Sequence, residues 1–148
     1  RAKLPVGQGM WPAFWMLDSN ISEVQWPLCG EIDVLEYVGK EPEEIFTSLH
    51  TKASHGNTIN TKKTKFPTIE DGFHVYAANW NKEHIEFFVD GKSVYTFIPK
   101  NKTQAEWPFD KPFYLLLNLA VGGDFGGPEV DNSIFPKEFI IDYVRVYQ

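Results

Sequence analysis

The chain is 148 residues long, the length of one domain, and 43% of it is hydrophobic, which is enough for a core and excludes a disordered segment. Its net charge of −6, with no basic run, excludes nucleic acid and an anionic membrane surface as partners, and no stretch of about 18 apolar residues is present to span a bilayer. Cys29 is the only cysteine, so there is neither an internal disulfide nor a cysteine metal site, and its place before Gly30 reads as a buried structural thiol.

In chain order the pattern is one of strands joined by turns. Arg1–Leu4 reads as the end of a strand, cut off by Pro5 and Gly7. Met10–Leu17 is an aromatic-rich strand and Asp18–Gln25 a loop. Gly30–Val38 is an acidic strand, followed by a charged turn at Lys40–Glu44 and a strand over Ile45–Thr51. Lys52–Asp71 is polar with no apolar period and reads as a long loop at a functional rim. Phe73–Trp80 is a strand, and Ile85–Val89 and Ser93–Phe97 form a hairpin across Asp90-Gly91. Asn101–Asp110 is a loop, Phe113–Val121 a near-continuous apolar strand, Gly122–Phe135 a Gly/Pro loop and Glu138–Tyr147 a last strand. No window carries a helical period and nothing repeats. The fold class is all-β, an antiparallel β-sandwich occupying residues 1–148 as one domain.

Within the acidic strand, Glu31, Asp33 and Glu36 fall inside six residues and are separated by aliphatic side chains. Strict alternation puts Glu31 and Asp33 on one face and Ile32 and Val34 on the other. Glu36 joins the first face only if one extra residue is inserted at Val34-Leu35, a β-bulge. Three like charges in a row raise one another's pKa and cost stability, which a structural strand avoids. With the bulge, Glu31 and Glu36 stand about four strand steps apart, roughly 13 Å at Cα. Inward-leaning arms can bring the carboxyls toward the ~5–5.5 Å of a retaining glycosidase. Asp33 between them can hold a proton and set the two pKa values apart.

Glu-Ile-Asp-Val-Leu-Glu resembles the active-site strand of glycoside hydrolase family 16 in its bulged E-x-D-x-x-E form, the form of laminarinases (endo-β-1,3-glucanases), agarases and carrageenases. The resemblance extends over ordered blocks along nearly the whole chain: Gln8–Leu17, Trp26-Pro27, Glu36–Gly39, Phe73–Tyr76, Trp107–Asp110, Leu117–Gly123 and Asp142–Tyr147. It implies a β-jelly roll of the concanavalin-like kind with a concave cleft, Glu31 as nucleophile, Glu36 as acid/base and Asp33 as their assistant. No cofactor is implied for catalysis. It further implies that aromatic residues of the Met10–Leu17 strand line the cleft.

Trp11 and Trp15, four apart, share one strand face and so share either the cleft or the core. Trp26 resembles a sugar-stacking platform, and pyranose faces, being apolar, suit the 16% aromatic content. Asn118, between Leu117 and Leu119, is expected to be a buried amide bonded to substrate, to a catalytic carboxylate or to backbone. His50 is expected near Glu36 or as a structural residue, and Trp107 as a cleft wall. His55, His74 and His84 have no ligand spacing, so no catalytic zinc is expected. Asp142 lies where relatives hold a structural calcium, but the N-terminal part that usually completes that site has no counterpart here; a surface salt bridge is the alternative.

The resulting expectation is an endo-acting, retaining hydrolase of β-1,3-glucan or mixed-linkage β-glucan. The alternatives are a lectin-like binding module, an enzyme for agar or carrageenan, and a transglycosylase. Such a polysaccharide does not enter cells intact, so the protein is expected to be secreted or surface-held. Asn20-Ile-Ser22 and Asn101-Lys-Thr103 are glycosylation sequons only in a eukaryotic secretory host. Arg1–Pro5 resembles a strand from the middle of the family's domain. The first strands are therefore expected to be lacking, which leaves unpaired edges and an open apolar face. The chain alone is expected to be poorly active or inactive unless a second chain or swapped copy completes the sandwich.

Overall fold

A computed structural model describes residues 1–148. The strands are β1 (Ala2–Lys3), β2 (Met10–Asp18), β3 (Glu31–Glu36), β4 (Glu44–His50), β5 (Thr61–Lys65), β6 (Tyr76–Trp80), β7 (Ile85–Val89), β8 (Lys92–Phe97), β9 (Phe113–Val121) and β10 (Ile140–Ile141). Two helical turns, α1 (Ile21–Val24) and α2 (Gly123–Gly126), and a 3-10 turn at Asn132–Ile134 interrupt the loops. None is long and apolar enough to cross a membrane. The main sheet runs β5-β4-β3-β2-β9, all antiparallel; β6-β7-β8 form a second sheet, and β1 pairs with β10.

Period-two patterning decides how these sheets meet. On β3, Ile32, Val34 and Leu35 are 0–2% exposed and face the core. They meet Ile45 and Leu49 of β4, Ile85, Phe87 and Val89 of β7, and Tyr76. Burying such side chains contributes about 1.5–3 kcal/mol each relative to exposure. The β7–β8 hairpin closes over Asp90 and Gly91, both at positive φ (48° and 76°), as a two-residue turn between right-twisting strands requires. Asp90 also accepts from Val75 N (2.8 Å) and faces His74 Nδ1 (2.7 Å), which ties the turn to the start of β6.

Three expectations are corrected. The stretch Lys52–Asp71 is not all loop: Thr61–Lys65 forms β5, an exposed edge strand held by its backbone pairing with β4 and so free of any apolar period. The last strand shrinks from Glu138–Tyr147 to Ile140–Ile141, because β1 offers it only two partner residues. Trp107 is 3% exposed and stacks on Phe97 within the core, with Nε1 donating to Asp110 (3.0 Å), so it is not a cleft wall.

The sandwich is open along one side. Leu115 and Leu117 sit opposite Met16 and Phe14, on the core-facing side of β9, yet are 39% and 41% exposed. With Phe14, Tyr76, Trp80, Val144 and Tyr147, Leu115 borders a groove of ≈ 800 Å³.

Candidate active site

The bulge occurs where the sequence places it. On β2, Phe14 pairs with Leu35 and Trp15 with Asp33, which leaves Val34 as the extra residue. On β4, the partners of Glu31, Asp33 and Glu36 are His50, Ser48 and Phe46. These partners are evenly two apart, so the three carboxylates form one row on one face, with Glu31 and Glu36 four strand steps apart, about 13 Å at Cα. Across the sheet the same face carries Trp11 and Trp15 of β2, Asn118 of β9, and Lys63 and Lys65 of β5.

Each end of the row has its own surroundings. At the Glu36 end, Trp11 Nε1 donates to Glu36 Oε1 at 3.0 Å. Trp11 packs edge-on against Phe125 of α2, and Phe125 packs edge-on against Phe46. Gly39 admits the close approach that anchors this end: a Cβ there would lie 1.7 Å from Gly7 O, and Gly39 N donates to Met10 O (2.9 Å). At the Glu31 end, His50 Nε2 lies 3.1 Å from Asp33 Oδ2 and 3.8 Å from Glu31 Oε1. Trp26, 42% exposed, tilts over His50 and meets His55 edge-on. In the middle, Trp15 Nε1 donates to Asn118 Oδ1 at 2.7 Å.

The sequence expectations sort accordingly. Trp11 and Trp15 share the face of the acids, and Trp26 stands exposed at its margin. Two expectations are corrected. His50 neighbours Asp33 and Glu31, not Glu36, because antiparallel pairing sets the end of β4 opposite the start of β3. Asn118 is exposed, not buried, and its partner is the Trp15 indole. Phe46 and Ser48 were legible but overlooked, since on β4 they alternate with buried residues in step with His50. Phe125 had no signal in a Gly/Pro loop.

Burial dominates the electrostatics. It pushes the Glu31 carboxyl up to about 8, with Asp33 adding to the rise. It pushes Glu36 up to about 7, opposed by the Trp11 N–H, and holds Asp33, nearly inaccessible and beside Glu36, well above the usual carboxylate range. Carboxyls this close exchange protons as one set rather than singly. With Glu31 raised above Glu36, the resting cluster favours a proton on Glu31.

Glu31, Asp33 and His50 also offer three ligand-type atoms within 4.8 Å of one another. Gly56 N, however, donates to His50 Nδ1 (3.1 Å), so the ring proton lies on Nε2, the nitrogen that faces the two acids, which therefore has no free lone pair for a metal. Asp142 is engaged by Arg1 Nη1 at 2.5 Å, and a single paired carboxylate does not fit a calcium ion.

The family model for Glycosyl hydrolases family 16 matches residues 1–144. A β-glucanase of Rhodothermus marinus is 43% identical over 100% of this chain and 55% of its own length. A glucan endo-1,3-β-glucosidase A1 of Niallia circulans is 40% identical over 100% of this chain and 23% of its own. The crystal structure of a laminarinase from Flavobacterium sp. UMI-01 superposes with a TM-score of 0.98 at 67% identity, covering 99% of this chain and 64% of that one. The chain thus spans less than two thirds of each of these relatives.

Proposed function

Starting from the fact that the chain belongs to glycosyl hydrolase family 16, we propose that the intact protein is an endo-glycosidase that cleaves β-1,3-linked glucan with retention of anomeric configuration. The observation that carries this reading is the bulged row: three carboxylates on one open face, four strand steps from first to last, with indoles around them. Glu36 donates its proton to the leaving glycosidic oxygen while Glu31 attacks the anomeric carbon and forms a glycosyl ester. Glu36 then takes a proton from water, which attacks the same carbon, breaks the ester and returns Glu31 as a carboxylate. Asp33, carrying a proton between them, hydrogen-bonds to Glu31 and keeps a third negative charge out of the row. Trp11, Trp15 and Trp26 offer apolar faces to pyranose rings.

A neutral glucan fits better than a sulfated galactan. The β5 lysines on the cleft face are already paired, Lys63 with Glu41 and Glu44 and Lys65 with Glu43, which leaves them no free charge for sulfate esters. A mixed-linkage β-glucan suits the same cleft. Since these polymers stay outside cells, we place the protein as secreted or surface-held. The reading is for the intact protein; with its apolar face open, this chain alone is expected to turn over poorly until further strands or a second copy cover that face. Reducing-end release from laminarin, mixed-linkage glucan and agarose tests it. Release from laminarin is expected; binding of laminarin without release would make the domain a lectin-like module, and release from agarose alone would overturn the substrate.

A further inference from the structure

The strand-crossing pairs explain how Glu31 and Asp33 meet His50 but not what fixes the imidazole. Both ring nitrogens have partners of opposite demand. Nδ1 faces a backbone donor, Gly56 N, at 3.1 Å, and Nε2 faces two carboxylate oxygens, of Asp33 at 3.1 Å and Glu31 at 3.8 Å. A nitrogen that accepts an N–H cannot carry a proton of its own, so the single ring proton sits on Nε2. The turn that presents Gly56 is itself tightly bonded. Thr51 N donates to Ser54 O (2.8 Å), Thr58 Oγ1 to Leu49 O (2.9 Å) and Ile59 N to Ser54 Oγ (2.9 Å). Gly56 turns through φ +64°, a conformation that glycine adopts without steric cost. Asp33 Oδ2, buried, has no well-aligned hydrogen bond of its own, and the His50 ring is the polar group directed at it.

We propose that the Thr51–Asn60 turn is a tautomer lock: through Gly56 N–H it holds the His50 proton on Nε2, facing Asp33 and Glu31, and so makes His50 the positioning residue of the nucleophile. The proposal rests on Glu31 being the nucleophile, as argued above. Its chemical logic is that a cluster of buried acids favours protonated Glu31, whereas the reaction needs it ionised. A fixed donor beside Glu31 and Asp33 favours the ionised form as charge moves between them. Apart from a proton shared by the acids themselves, no side chain of β3 supplies such a donor.

Two substitutions separate the halves of the device. H50N keeps an acceptor near the Nδ1 position but withdraws the inward donor. H50Q sets an amide N–H near the Nε2 position but gives up the Gly56 contact. In the intact protein, H50N is expected to lower kcat/KM about 10²-fold and to move the acid limb of its pH profile upward, whereas H50Q restores a large part of the rate. Equal losses in both variants with an unmoved acid limb would show His50 to be merely structural and would overturn the proposal. A long-range ¹H–¹⁵N spectrum of the imidazoles reads the lock without any turnover: a proton on Nε2 and a bare Nδ1 are expected, and a proton on Nδ1 would overturn it. If laminarin is not cleaved at all, the proposed function fails while the spectrum still decides the tautomer.

Discussion

Glu31 and Glu36 are the same residue on the same strand, both half-buried, and the fold gives them different company. Glu31 looks onto a second carboxyl and an imidazole, those of Asp33 and His50. Glu36 is held by one indole N–H, in a nest of Trp11, Phe46 and Phe125. The difference teaches that burial alone does not assign roles, since it raises both groups. What distinguishes them is the company each keeps: a carboxyl and an imidazole beside Glu31, an indole N–H and an aromatic wall around Glu36.

The largest effect should come from breaking the Glu31 side. Glu31→Gln is expected to lower laminarin turnover by on the order of 10⁴–10⁶-fold while leaving oligosaccharide binding near the wild-type affinity, measured by steady-state kinetics and calorimetry. Glu36→Gln should cost about 10²–10⁴-fold on laminarin. On an aryl β-glucoside, whose phenolate leaves without a proton, it should cost far less. Similar losses on both substrates would remove Glu36 from the acid role.

The third contrast is one of stability. A carboxyl raised in the fold, as Glu31 is to about 8, binds its proton more tightly folded than unfolded. Between the unfolded value near 4.3 and about 8, folding takes up a proton, so stability falls as pH rises through that window. Glu31→Gln removes the penalty. Thermal melts should show it more stable than wild type at pH 8, by on the order of 1–3 kcal/mol, and indistinguishable at pH 4. A uniform shift at both pH values would contradict the raised value.

The smallest effect concerns the indole. Trp11→Phe keeps the packing on Phe125 and deletes the N–H to Glu36 Oε1. That donor favours the carboxylate, so its loss raises Glu36 further. The basic limb of the pH–rate profile should move upward, with kcat at neutral pH changed by no more than about tenfold. A basic limb that stays in place would mean that another group sets it.

Much of this site was legible in the sequence because its physics is local. Period two fixes the faces of Glu31 and Asp33, and the cost of three like charges on a strand makes the extra residue at Val34 the economical reading, as the pairing with β2 shows. What failed was non-local. The partner of Asn118 is the Trp15 indole, 103 positions away in the chain, and no local pattern announces that β2 and β9 are neighbours. Trp107 sits among Pro and charged residues, which read as rim, but Phe97 and Phe109 draw it into the core. β5 is polar on both faces, so periodicity could not see a strand whose partner is β4 on one side and solvent on the other. His50 was the avoidable miss: a strand that follows β3 in an antiparallel pair must end opposite its beginning.

The most direct test of the two-carboxylate reading is the configuration of the first product. Hydrolysis of a laminarin oligosaccharide by the intact protein, followed by proton NMR within the first minutes, resolves the new reducing end before mutarotation blurs it. Attack by Glu31 and then by water on the same carbon inverts it twice, so the β-anomer should appear first and the α-anomer only as the sugar equilibrates. An α-anomer that appears first would mean a single displacement by water, and Glu31 would not be the nucleophile.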